Sequence, residues 1–226
     1  DLNEQLSKTE VVFGDNADAI KKWSETSVDS LLSTQEEALG YASTLGFILE
    51  QSGFSADETA NLSMSLTQLT ADLASLNNVS VEQAFTAVRG AIVGEREALK
   101  SLGVVIQETD VKNEALTLGL IKQGEELTTN AKAQANISLL MKKTAVAQGD
   151  VARTGDSLAN QMKKISAEAK ELQTAFGKGL VGGFGDTSET GQQLIDIMRR
   201  LNPLVESFGR AIGESTDPLA EFVNLL

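Results

Sequence analysis

SADETANLSMSLTQLTADLASLNNVSVEQAFTAVRGAIVGEREALKSLG, residues 55–103, is the stretch whose reading decides the fold. Ser55 is followed three residues on by Glu58. That is a capping box: the hydroxyl takes a free N–H of the first helical turn and the carboxylate reaches back to the cap. Leu62, Leu66, Leu69, Leu73 and Leu76 then recur at alternating spacings of four and three, which lines five leucines along one stripe of one helix. Asn77 and Asn78 suit a tight turn, because their side chains bond to local backbone and tolerate unusual dihedrals. Ser80 with Gln83 is a second box, and Phe85, Val88 and Ile92 make the stripe of the helix it opens. Gly94 and Gly103 fit the left-handed position that closes a helix; between them stand Glu95 and Leu102.

Working outward, residues 1–33 read as a polar, weakly patterned segment. Gly14, Asp15 and Asn16 mark a turn, and a short helix over 17–24 carries Trp23 as a packing anchor. Ser33 with Glu36 reads as a third box, opening a helix over 34–51 with Ala38, Tyr41, Ala42, Leu45, Ile48 and Leu49 at helical spacing. Gly40 and Gly46 inside it each cost ~1 kcal/mol relative to Ala, which close helix contact would explain, and Gly53 ends it. Beyond Gly103, Val104, Val105 and Ile106 read as an extended connector dropped into the core, since a lone strand has no partner. Asp110 is the expected cap of a helix running to about Gln123, with Val111, Ala115, Leu118 and Ile121 inward and Gly124 closing it. Thr128 or Thr129 starts a long helix over 130–152, with Ala135, Leu139, Leu140, Ala147 and Val151 near one face and Gly149 interrupting it near its end.

Leu158, Met162, Ile165, Ala169, Leu172 and Phe176 extend the pattern as a coiled-coil-like stripe, or as the face of an ordinary amphipathic helix on a bundle. Then comes GKGLVGGFG over 177–185, with Gly177, Gly179, Gly182, Gly183 and Gly185, which reads as a hinge. It lacks the Gly-Lys-Ser/Thr of a phosphate-binding loop, and a helix rather than a strand precedes it, so it carries no nucleotide site. Short helices follow over 186–226, with Pro203 and Pro218 each at the first position after an Asn or Asp cap. The fold class expected is therefore all-α: a multi-helix bundle of short to medium helices, with a helical module over 34–176 between the N-terminal segment and the hinge.

Chemistry is excluded more readily than assigned. The chain has neither cysteine nor histidine, so no disulfide, no Cys/His zinc site and no Ser-His-Asp or Cys-His nucleophile can exist. The net charge of −13 argues against wrapping phosphate backbones, and no specific nucleic-acid site is expected. Aromatic content is only 4%, and no apolar run approaches the ~20 residues of a membrane span. The carboxylate pairs Glu36–Glu37, Glu95–Glu97 and Glu125–Glu126 sit at helix starts, where they complement the dipole, and Asp150, Arg153 and Asp156 read as a charged corner between helices. No catalytic, cofactor or metal residue is named. The start at Asp1 rather than Met reads as a processed or excised piece of a longer protein.

At two places the residues carry a resemblance. LTADLASLNNVSVEQAFTAVRGAIVGEREALKSLGV, from Leu69 on, is similar to the signature region of the tape measure proteins of long-tailed bacteriophages, which carry Ala-Asp-Leu-Ala-Ser, Asn-Asn, Gly-Glu and Leu-Gly in this order. KKTAVAQGDVARTGDSLAN over 142–160 resembles that family's Gln-Gly-Asp, Ala-Arg-Thr and Ser-x-Ala-Asn segment. The positions that carry it are Leu69, Asp72, Leu73, Asn77, Asn78, Gly94, Glu95, Leu102 and Gly103, then Gln148, Gly149, Asp150, Arg153, Thr154, Ser157 and Asn160. The resemblance covers roughly residues 40–175. It implies a structural virion protein, without enzyme activity, that lies in the tail tube or tip, sets tail length and leaves with the DNA. It further implies a homotrimer meeting tail tube and distal tail or baseplate proteins, with host envelope contact at ejection. The alternative from another class is a helical binding module or a cell-wall-degrading domain of a tail protein.

Overall fold

Helix α5, Ala56–Leu76, carries the leucine stripe and organises the packing around it. The computed structural model describes residues 1–154 and Ala167. Ser55 Oγ accepts the Glu58 N–H at 3.4 Å and the Glu58 carboxylate accepts the Ser55 N–H at 2.9 Å, closing the expected box. Leu66, Leu69 and Leu73 are buried, Leu62 is half-buried and Leu76 is 48% exposed, so the stripe faces the core through its middle and emerges at its end. Polar residues on the buried side are satisfied within the helix. Ser63, Thr67 and Thr70 each donate their hydroxyl to the carbonyl four residues back, at 2.6, 2.8 and 2.9 Å.

The turn after α5 is as read: Asn77 donates from Nδ2 to Leu73 O at 2.9 Å, and Asn78 takes a φ of 51°. Helix α6, Val81–Val93, starts at the Ser80–Gln83 box, returns along α5 and buries Phe85, Val88 and Ile92. Helix α4, Gln35–Gln51, also packs along α5, and its Tyr41 ring packs on Phe85 of α6 with centroids 4.3 Å apart. Its cap is Thr34 with Glu37, one residue later than Ser33 with Glu36. Leu32 occupies the left-handed region at φ 52°, and Ser33 spends its hydroxyl on Leu31 O at 3.2 Å, which leaves Thr34 as the first extended residue before the helix.

Residues 1–33 are far more ordered than their pattern suggests. Helix α1, Leu2–Phe13, a 3-10 turn, Gly14–Asn16, helix α2, Ala17–Thr26, and helix α3, Val28–Leu31, follow one another. Phe13, Ala17 and Ile20 meet Leu39, Ala42 and Ala60 in an apolar cluster beside the main core, and half-buried Trp23 packs on both. Helix α1 buries only Thr9 and Phe13, so no leucine stripe announces it. It relies instead on close approach to α4. Thr9 and Ser43 share a hydroxyl hydrogen bond of 3.0 Å, and a Cβ on Gly46 would stand 2.6 Å from the Phe13 ring. The glycine inside α4 is thus the imprint of a helix crossing.

Past α6, Gly94 closes the helix at φ 98°, helix α7, Glu97–Lys100, makes a single turn, and Gly103 follows at φ 73°. Val104 and Ile106 are buried and Val105 is half-exposed, in an extended connector; there is no strand among the described residues. Helix α8, Glu108–Thr117, is capped by Gln107 rather than Asp110; Asp110 stands three residues on and accepts the Gln107 N–H at 3.1 Å. The helix stops at Thr117, short of Gln123, because Gly119 turns left-handed at φ 71°, which leaves Leu118 half-exposed and Ile121 buried in the loop. Helix α9, Thr129–Lys143, starts at Thr128 as expected. It ends earlier than the expected 130–152 span: turns over 144–149 separate it from helix α10, Asp150–Thr154, with Gly149 at φ 76°. Ala135, Leu139, Leu140, Ala147 and Val151 are all buried despite the break.

The fold is all-α. The coiled-coil-like stripe over 158–176, the five glycines of 177–185, the late helices, and Asp156, Ser157 and Asn160 lie outside the described residues. No helix among the described residues is long and apolar enough to cross a membrane.

Two substitutions on α5 separate core from surface. Leu73→Ala is expected to cost ~2–5 kcal/mol in chemical denaturation, because a 1%-exposed leucine leaves a cavity. Leu76→Ala, at the exposed end of the same stripe, is expected to stay within ~0.5 kcal/mol. Equal losses would mean that the stripe does not divide between core and solvent. Gly46→Ala is expected to lose ~1–3 kcal/mol through overpacking against Phe13.

Candidate functional site

Helix α10 begins with a deficit. The first N–H groups of a helix have no partner within it, and a Ser, Thr, Asp or Asn side chain usually supplies one. Here the position before Asp150 is Gly149, whose φ of 76° favours glycine and whose hydrogen side chain can cap nothing. The missing acceptor comes from α5. Asp72 Oδ2 accepts the Gly149 N–H at 2.8 Å and Oδ1 accepts the Val151 N–H at 3.2 Å. One carboxylate, 3% exposed, thus caps a helix 77 residues further along the chain.

The next carboxylate completes the junction. Asp150, also buried, accepts the Ser75 hydroxyl at 2.7 Å on Oδ2 and Arg153 Nη2 at 3.0 Å on Oδ1. Arg153 further donates to Gln148 O at 2.7 Å and Val146 O at 2.9 Å, clipping the turn between α9 and α10. Gln148 closes that turn from its other side, donating to Met141 O at 2.9 Å. Burial pushes the Asp72 carboxyl above its ordinary range; the two backbone N–H bonds and Gln68 pull against that rise, and the Asp150 charge adds to it.

This arrangement gathers Leu69, Asp72, Leu73, Gln148, Gly149, Asp150 and Arg153 at one end of the bundle, with the Asn77–Asn78 turn following α5 there. Thr154 ends α10. Gly94, Glu95, Leu102 and Gly103 do not join them. They lie at the far end of α6, where the Glu95 N–H returns to Gly90 O at 2.8 Å and Leu102 enters the core. Beside the junction an open groove of about 430 Å³ is lined by Trp23, Met64, Leu69, Asp72, Met141 and Gln148. It offers thioethers, an indole and the Ser65 hydroxyl, which donates to Asn61 O at 2.9 Å. Its one carboxylate is committed to backbone, and no group of acidic side chains among the described residues is placed to hold a metal ion.

Sequence reading missed three polar contacts. Ser75 as the donor to Asp150 carries no motif. Asn136, fully buried, donates to Ile92 O at 3.2 Å and ties α9 to α6. Glu114, buried on α8, accepts Ser138 and, at 2.6 Å, Lys142, both on α9. Those two donors hold the Glu114 carboxyl below its ordinary range, Lys142 most strongly. For Asp72 a signal existed: it stands three residues after Leu69 and four before Leu76, on the stripe itself.

Removing the cap is expected to be costly. Asp72→Ala leaves the buried Val151 N–H without an acceptor, a loss of ~1–3 kcal/mol, and frees the part-buried Gly149 N–H as well. The pH dependence has a defined sign. A raised folded pKa means that the folded chain holds the proton more tightly than the unfolded one, so the contribution of Asp72 to stability grows as pH falls from the raised value towards the ordinary one. Glu114, with its lowered pKa, behaves oppositely: its contribution is present above the unfolded value and lost as pH falls through the folded one. The penalty of Asp72→Ala, measured in urea, is therefore expected to be larger at about pH 4 than at pH 7, and that of Glu114→Ala smaller. Penalties independent of pH would contradict the assignment. Comparison of the chain with known protein families, with curated proteins and with solved structures finds no match in any of the three.

Proposed function

We propose that this chain is a segment of the tape measure protein of a long-tailed bacteriophage, a structural component of the tail rather than an enzyme. The observation that supports the reading is the meeting of two separated sequence blocks. Ala-Asp-Leu-Ala-Ser on α5 and Gln-Gly-Asp before α10 resemble the same family independently, and Asp72 of the first accepts the Gly149 N–H of the second. A chance resemblance has no reason to select the two halves of one hydrogen-bonded junction. In this reading the described bundle is a compact module. The ruler proper is long helix elsewhere in the parent chain, where each residue adds ~1.5 Å. The module resides in the tail tube lumen or tip, associates as a homotrimer through the 158–176 stripe and the late helices, and meets tube and distal tail proteins. It leaves with the DNA at ejection, in contact with the host envelope.

Mass spectrometry of purified virions is expected to find peptides of residues 55–103 in isolated tails. Duplicating a helical stretch within the parent reading frame is expected to lengthen those tails by ~1.5 Å per added residue. Virions without these peptides, or tails of unchanged length, would refute the reading.

A further inference from the structure

A second groove, of about 400 Å³, opens where α1, α4 and α6 adjoin. Phe47 of α4 and Val93 of α6, 53% and 55% exposed, both face it, with half-buried Ile48 between helices. Single exposed apolar side chains are ordinary on any surface, but two large ones from different helices on one concavity form a patch. Its cations, like Lys22, Lys112 and Lys122, stand outside the ion pairs that other basic residues make among the described residues. Lys21, Lys100, Lys132, Lys142 and Lys143 each stand within 4.0 Å of a carboxylate. Lys8 and Arg89, which line the groove, make no ion pair among the described residues; Lys8 reaches only the Thr44 hydroxyl, at 3.3 Å. Glu95 lines the groove as well, leaving it with an excess of positive charge on a chain of net charge −13.

We propose that this groove docks an acidic amphipathic helix of a neighbouring protein, its apolar side chains on Phe47, Ile48 and Val93 and its carboxylates on Lys8 and Arg89. Such a helix presents anchors at intervals of three and four residues to a groove between helices, and charge complementarity sets its orientation. Among its described residues, a second copy of this chain does not supply it. The exposed large apolar residues are Val11, Phe47, Leu76, Val93, Val105, Leu118 and Val146, no two of them on one described helix. The 158–176 stripe is flanked by Lys163, Lys164 and Lys170 against Glu168 and Glu171, the wrong sign for two unpaired cations.

The test titrates the full chain with a fluorescent synthetic peptide carrying leucines at spacings of three and four flanked by glutamates, and with a counterpart in which lysines replace the glutamates. The glutamate peptide is expected to bind, with affinity that falls as salt rises, and the lysine peptide is not. Phe47→Ala with Val93→Ala, and separately Arg89→Glu, are each expected to weaken binding about tenfold or more while circular dichroism stays unchanged. Binding of neither peptide, equal binding of both, or indifference to Arg89→Glu would overturn the proposal. So would a concentration-dependent dimer in ultracentrifugation that Phe47→Ala abolishes, since the groove would then serve a second copy.

Discussion

The start of a helix cannot satisfy its own backbone, and the whole Asp72 end of the molecule follows from that. The first N–H groups of α10 have no acceptor within the helix itself. Asp72 makes the helix possible by accepting two of its free N–H groups, and α10 in turn gives Asp72 a reason to be a buried charge among leucines. Each is unfavourable without the other: an isolated buried carboxylate costs several kcal/mol, and so do two orphaned donors. Ser75, Arg153 and Gln148 then satisfy the carbonyls and the second carboxylate that the turn leaves over.

The same economy explains where the acidic residues go. Glu4, Asp18, Glu36, Glu37, Asp57, Glu58, Glu82, Glu97, Glu108 and Asp150 all stand in the first turns of their helices. A chain cut into many short helices has many positive helix ends, and carboxylates are the natural complement of each. Much of the net charge is thus a consequence of helix number rather than a surface selected for a ligand.

How much of this the sequence disclosed depended on whether the signal was local. The boxes at Ser55 and Ser80, the Asn78 turn and the closures at Gly94 and Gly103 involve residues within a few positions, and the structure agrees with each. Thr34 was misjudged by one residue because Ser33 and Thr34 offer the same chemistry and only the left-handed Leu32 chooses between them. Helix α1 was missed because its support lies 34 residues away, at Ser43, and at a glycine that records the contact by lacking a side chain. The site was legible as two blocks of residues but not as a bond between them. Nothing in a list of residues says that an aspartate on one helix will cap another.

The junction also determines how the module responds to force. Among the described residues, tension arriving from the C-terminal side reaches α10 first. The first links to carry it are two N–H···O bonds from Gly149 and Val151 to a single carboxylate, with the Ser75–Asp150 bond beside them. Once these part, the Gly149 turn, held by Arg153 and Gln148, is exposed to the same pull, and α9 can then be drawn off α6 and α8 from its end. Loaded this way, the described bundle is pulled first at the α5–α10 junction rather than through all of its helices at once.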